Sequence, residues 1–160
     1  MELLTARMEI PEGANLILGH SHFIKTAEDL YEAVVNTVPG AKFGIAFNEA
    51  SGPCLIRVEA NDDELRRVAV ANAQALGAGH AFVLLIRHAF PINILGRVKD
   101  CFEVCSIFCA TANHVEVVLG QTDQGRAILG VVDGSSPKGV ETPDHAKHRH
   151  EFVRKIGYKI

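Results

Sequence analysis

Several signatures that would decide function at once are absent from this sequence. It has no run of about 18 apolar residues, so no membrane-spanning helix is expected. The opening stretch M-E-L-L-T-A-R-M-E-I-P-E-G places acids among short apolar runs, unlike the basic start and apolar middle of a signal peptide, and a cytoplasmic protein is expected. There is no basic surplus: the net charge is -3, which disfavours duplex nucleic acid as a partner. No G-x-x-x-x-G-K-[ST] loop and no G-x-G-x-x-G fingerprint is present, since G-A-G-H and G-S-S-P-K-G match neither. A bound nucleotide would therefore need an uncommon site. No G-x-S-x-G elbow supports a serine hydrolase, and the cysteines have no clear partner for nucleophilic catalysis, with His88 and His114 left open.

The four cysteines, Cys54, Cys101, Cys105 and Cys109, lack the C-x2-C pairing typical of zinc. The C-x3-C-x3-C spacing of the last three would line one face of a helix, but S-I-F-C-A-T turns β-like halfway through. Free thiols acting as small core residues are expected, and no metal site is assigned.

What is present is a soluble globular composition of 160 residues, 48% apolar and 22% charged, which fits a single α/β domain. A helix is predicted after Thr26, where T-A-E-D reads as a capping box and Ala27, Leu30, Tyr31, Val34, Val35 and Val38 recur at helical spacing until Pro39-Gly40. Residues 41–47 and 54–60 read as a hairpin with a long loop, or as a strand and a neighbour. A second helix is predicted from Asn61, with Asn72 at the edge of its apolar stripe and Gly77-Ala78-Gly79 ending it.

Residues 80–86 are apolar throughout, as in a strand covered on both faces, which implies helices on both sides of a sheet. A third helix is predicted from Pro91, carrying Ile94, Leu95, Val98, Cys101 and Phe102 inward. Three strands with tight, antiparallel connections follow, and then a charged helix from about Asp144 to Ile156.

Polar residues cluster where apolar elements end: His20, His22, Asn48, Glu49, Ser51, Asn93, Thr111, Asn113 and Asp133. Ligands of α/β proteins sit beyond strand ends, so these are candidates for a small-molecule site. Each also has a plainer reading. The two histidines could be loop residues held by backbone groups, Asn113 and Asp133 could be turn residues, and Glu49 could be a solvated turn acid.

The segments G-H-S-H-F-I-K-T (19–26), K-F-G-I-A-F-N-E-A-S-G-P-C (42–54), G-A-G-H (77–80), F-P-I-N (90–93), I-F-C-A-T-A-N (107–113), G-V-V-D-G (130–134) and I-G-Y-K (156–159) resemble, in order, a family of short proteins named adenosine-specific kinases. The resemblance implies a three-layer αβα sandwich with a mixed sheet, a ligand that is adenosine or AMP, and a homo-oligomer, with a trimer expected. It also brings Gly52 and Pro91 into the ligand-binding set with His20, His22, Asn48, Ser51, Asn93, Thr111 and Asn113. A kinase would take ATP and Mg2+ as donor, with Glu49 or Asp133 orienting the ribose hydroxyl. Lys25, Lys138 or the histidines would face phosphate. The alternative is a non-catalytic adenosine or AMP sensor, which the missing ATP signature favours; a third possibility is a structural oligomer whose polar strand ends meet at subunit interfaces.

Overall fold

Strands formed by the most apolar stretches dictate the architecture. The computed structural model describes residues 1–160. In chain order the elements are β1 (Glu2–Arg7), β2 (Asn15–Ser21), α1 (Thr26–Thr37), β3 (Lys42–Asn48), β4 (Ile56–Ala60), α2 (Asp63–Leu76), β5 (Ala81–Arg87), α3 (Pro91–Lys99), β6 (Val104–Thr111), β7 (Val115–Gln121), β8 (Arg126–Asp133) and α4 (Pro143–Lys155). The α/β class holds, with the strands divided between two sheets. One has five strands in the order β4-β3-β5-β2-β6 and the other has three in the order β1-β7-β8, with every strand pair antiparallel. An isolated parallel bridge joins Ala78 to Arg126.

Side chains alternate across the five-stranded sheet, so each face has its own core. Ile17, Phe43, Ile45, Phe47, Phe82, Leu84 and Ile86 pack with Leu30 and Val34 of α1 and Ile94 and Val98 of α3. On the other face, Leu16, Leu18, Ala46, Val83 and Leu85 meet the α2 stripe of Leu65, Val68, Ala69, Ala73 and Leu76, and Val115, Val117 and Leu119 of the small sheet. The layers are thus α1 with α3, the large sheet, and α2 beside the three-stranded sheet. Helix α2 lies so close to β3 that a Cβ on Gly44 would overlap the backbone of Leu65.

Local differences from the sequence reading have identifiable causes. Thr26 is the first residue of α1 rather than its cap; its buried hydroxyl pairs with Ser21 and Phe23 instead of the helix. Asp62, not Asn61, caps α2 by accepting from the Leu65 N–H, while Asn61 ties the hairpin to Phe43 and Ala41. Asn72 is buried rather than at the stripe's edge, and its amide pairs with both backbone groups of Glu9 at 2.8 Å. Helix α3 stops at Lys99, which leaves Phe102 fully exposed instead of inward. β6 and β7 follow one another closely but do not pair, because the chain passes from one sheet to the other at residues 112–114. Cys101 lies beyond α3, and Cys105 and Cys109 lie on β6, so they share no helix face.

Candidate functional site

The loop between β3 and β4 begins at Glu49, and Glu49 closes it. Its carboxylate accepts from the Leu55 N–H at 3.0 Å and from the Arg57 guanidinium at 2.9 Å. The Leu55 N–H and the Arg57 guanidinium hold the Glu49 carboxyl below its ordinary range. It is therefore a permanent anion at neutral pH, suited to accepting hydrogen bonds and ill suited to taking up a proton. Ser51 and Gly52 form the exposed tip of the same loop, where the Cys54 N–H donates to Ser51 O.

Beside this loop α2 ends at Gly77, whose φ of 58° is the left-handed conformation that glycine adopts at low cost. Asn48 holds this turn in place: its Nδ2 donates to Ala73 O in the last turn of α2 and to Ala78 O just beyond it, both at 3.0 Å. That pairing fixes the amide orientation and leaves Asn48 Oδ1 a buried acceptor with no partner.

Asn48, Glu49 and the Gly77–Gly79 turn line a 670 Å³ cleft together with Thr122, Gln124 and Arg126 of the β7–β8 turn, and Arg126 is bridged to Ala78. The volume lies in the usual range for small-molecule sites. Arg126 donates from Nε to Gln121 and from Nη1 to Ala75 O, and its Nη2 has no partner. The cleft lining thus holds the Glu49 carboxylate and one cation, Arg126.

Histidines stand at the same end of the large sheet. His80 donates its N–H to Asn48 O at 2.7 Å and stacks on Phe47. His20 and His22 approach His80 edge-on, with ring centroids 6.0 and 6.4 Å away. Burial, and then the charge of His80, lowers the pKa of His20. Close by, Glu103 has both carboxylate oxygens buried and without hydrogen bonds, and Lys25 Nζ is 3.7 Å away. Burial and the neighbouring Asp29 carboxylate push the Glu103 carboxyl up. Lys25 pairs with Asp29 at 2.8 Å.

The remaining candidates lie at the opposite end of the sheet, because Thr111 pairs with Leu16 at the start of β2 whereas His20 is near its finish. Seven extended residues separate the two ends by about 20 Å. Here Asp133 Oδ1 accepts from Thr111 Oγ1 at 2.8 Å and from Asn113 Nδ2 at 3.1 Å, tying the β6–β7 corner to the end of β8. Asn93 accepts from the Phe90 N–H at 2.8 Å, and Pro91 occupies the first turn, so both shape the start of α3. Glu49 and Asp133 are therefore not brought together within one chain. Sequence reading missed Arg57, Arg126 and His80. Arg57 stands eight residues after Glu49 on the facing strand, a hairpin spacing that could have flagged it; nothing local marks Arg126, which reaches α2 from the other sheet.

Comparison with known proteins supplies the family. The family model described as "Adenosine specific kinase" matches residues 6–159. No curated protein matches the chain significantly. Among solved structures, the crystal structure of the PH1918 protein from Pyrococcus horikoshii OT3 is 45% identical, with a TM-score of 0.95 over 99% of this chain and 98% of that one. No helix is long and apolar enough to cross a membrane. This chain belongs to the adenosine-specific kinase family.

Proposed function

We propose that this protein binds adenosine or AMP in the cleft between Asn48 and Arg126 and phosphorylates adenosine with ATP, giving AMP. The observation that carries the binding step is Asn48 in the cleft lining, whose Oδ1 is an unpartnered acceptor covered in this structure and paired by a ligand that uncovers it. Adenine presents an amino donor at its six-position, where guanine presents a carbonyl acceptor. A fixed acceptor therefore favours adenine and penalises guanine, since an unpaired buried polar group costs about 1–3 kcal/mol. The C-terminal end of α2 adds to this preference, because its partial negative charge suits ligand donors.

In the transfer step, the 5′-hydroxyl oxygen of adenosine bonds to the terminal phosphorus of ATP. The bond from that phosphorus to the bridging oxygen breaks, and ADP leaves with the electron pair. Glu49 orients the hydroxyl, whose proton passes to water. Arg126, whose Nη2 is not used by the hydrogen bonds to Gln121 and Ala75, is the group proposed to meet the phosphates, and Lys25 and the three histidines lie at the same sheet end. No group of three His, Cys, Asp or Glu side chains is arranged to hold a metal ion. Magnesium would thus be carried chiefly by the phosphate oxygens, as is usual for this ion, with Glu49 the carboxylate beside it.

The second reading is a nucleoside sensor without turnover, and the presence of a single cationic side chain, Arg126, in the cleft lining favours it. Calorimetric titration with adenosine, AMP and guanosine tests binding. Adenosine should bind and guanosine should not; equal affinity for both would remove the role given to Asn48. Binding of adenosine without AMP formation from magnesium-ATP selects the sensor. A homo-oligomer, with three copies expected, completes the proposal.

A further inference from the structure

Helix α4 contributes no buried residue to its own chain. From Gly134 to Ile160 every residue is exposed except Gly134, Ala146 and Val153, which are half-buried. An isolated helix of this length is marginal in water, so packing must stabilise it. Its sequence is amphipathic: Ala146, Phe152, Val153 and Ile156 fall on one face at helical spacing, and Phe152 and Ile156 are about half exposed. The helix therefore presents a prepared apolar face that its own chain leaves bare.

The opposite vacancy exists on the body. The inner face of the three-stranded sheet packs on the core, but no helix covers its outer face. Leu3, Leu129 and Val132 are 67%, 53% and 52% exposed there. Sheets in layered folds bury such faces against another element.

Charge identifies the matching partner. Residues 134–160 hold six of the sixteen Lys and Arg residues and three of the nineteen Asp and Glu, a surplus of three positive charges; residues 1–133 carry six negative charges in excess. The arm is basic and the body is acidic, and each copy supplies one of each.

We infer that residues 134–160 form an exchanged arm, with the apolar face of α4 seated on the outer face of the β1-β7-β8 sheet of a second copy of this chain. Each copy gives one arm and receives one, so the exchange uses every arm either reciprocally in a dimer or head to tail in a closed ring. The inference rests on the homo-oligomer of the proposed function and not on its chemistry.

Sedimentation velocity on full-length protein tests it, with Phe152→Glu/Ile156→Glu disabling the arm and Leu129→Glu disabling the face. The expected result is an assembly for the unaltered chain and a monomer for each variant, both with unchanged circular dichroism. Mixing the two variants should then restore a two-copy species, since one intact arm and one intact face remain between them. An assembly that persists in either variant, or a mixture that stays monomeric, overturns the arm while leaving nucleoside binding untouched. An unaltered chain that is monomeric at tens of micromolar, or that sediments instead with phosphatidylserine vesicles, overturns it as well.

Discussion

The carboxylate of Glu49 and the guanidinium of Arg57 meet at 2.9 Å across the β3–β4 hairpin, on the rim of the cleft. Because the pair fixes the carboxylate as an anion, Glu49→Gln should abolish turnover by at least about 100-fold, the usual scale for a positioned catalytic group. Adenosine binding should persist, because the amide can still accept. Turnover equal to the unaltered protein would remove Glu49 from the mechanism.

The same pair should be visible in acid. The folded pKa of Glu49 is depressed, so its contribution to stability is full above the unfolded value of 4.5 and is lost as pH falls through the lower folded value. Melting curves from pH 7 to pH 3 should therefore fall less steeply in acid for Glu49→Gln. Parallel curves would show that the pair adds nothing to folding.

Glu103 gives the opposite sign. Its folded pKa is raised, so folding opposes ionisation, and stability falls as pH rises from the unfolded value of 4.5 towards the folded one. Glu103→Gln removes that cost and should raise Tm at pH 7. The gain should vanish below pH 4. A lower Tm at pH 7 would mean that the charge is stabilised by Lys25.

Arg126 is the one arginine in the cleft lining, and its Nη2 is not used by its hydrogen bonds to Gln121 and Ala75. Arg126→Gln should weaken AMP by about 10- to 150-fold, the equivalent of roughly 1.5–3 kcal/mol for a hydrogen bond to a charged group. Adenosine, without phosphate, should lose little. Calorimetry with both ligands checks the difference, and equal losses would place the phosphate elsewhere.

Gly44→Ala tests the packing that positions the cleft. The added carbon would collide with the Leu65 backbone, so α2 must shift off β3. Overpacking of this kind costs about 1–3 kcal/mol, measurable as a lower urea midpoint with little change in slope.

Much of this organisation was legible in the sequence because it is local. Pro39-Gly40 and Gly77 end their helices wherever the rest of the chain goes, and the unbroken apolar run of β5 announces burial on both faces. What was not legible depends on distant partners. β1 is a strand because β7, more than a hundred residues later, pairs with it. Asn72 is buried because Glu9 crosses α2. The polar strand-end residues were recognisable as a class, but which end each occupies depends on strand order, and this splits Glu49, Asn48, His20 and His22 from Asn93, Thr111, Asn113 and Asp133. Arg126 enters the cleft from the other sheet, and no spacing within its own segment shows that.

The most direct measurement is transfer of labelled terminal phosphate from magnesium-ATP to adenosine, resolved by chromatography, with guanosine as the control acceptor and Glu49→Gln in parallel. The expected result is labelled AMP and an equal amount of ADP from adenosine alone, with none from guanosine or from the variant. Absence of labelled AMP from protein that binds adenosine, or equal labelling of guanosine, would contradict the assignment of this cleft as an adenosine kinase site.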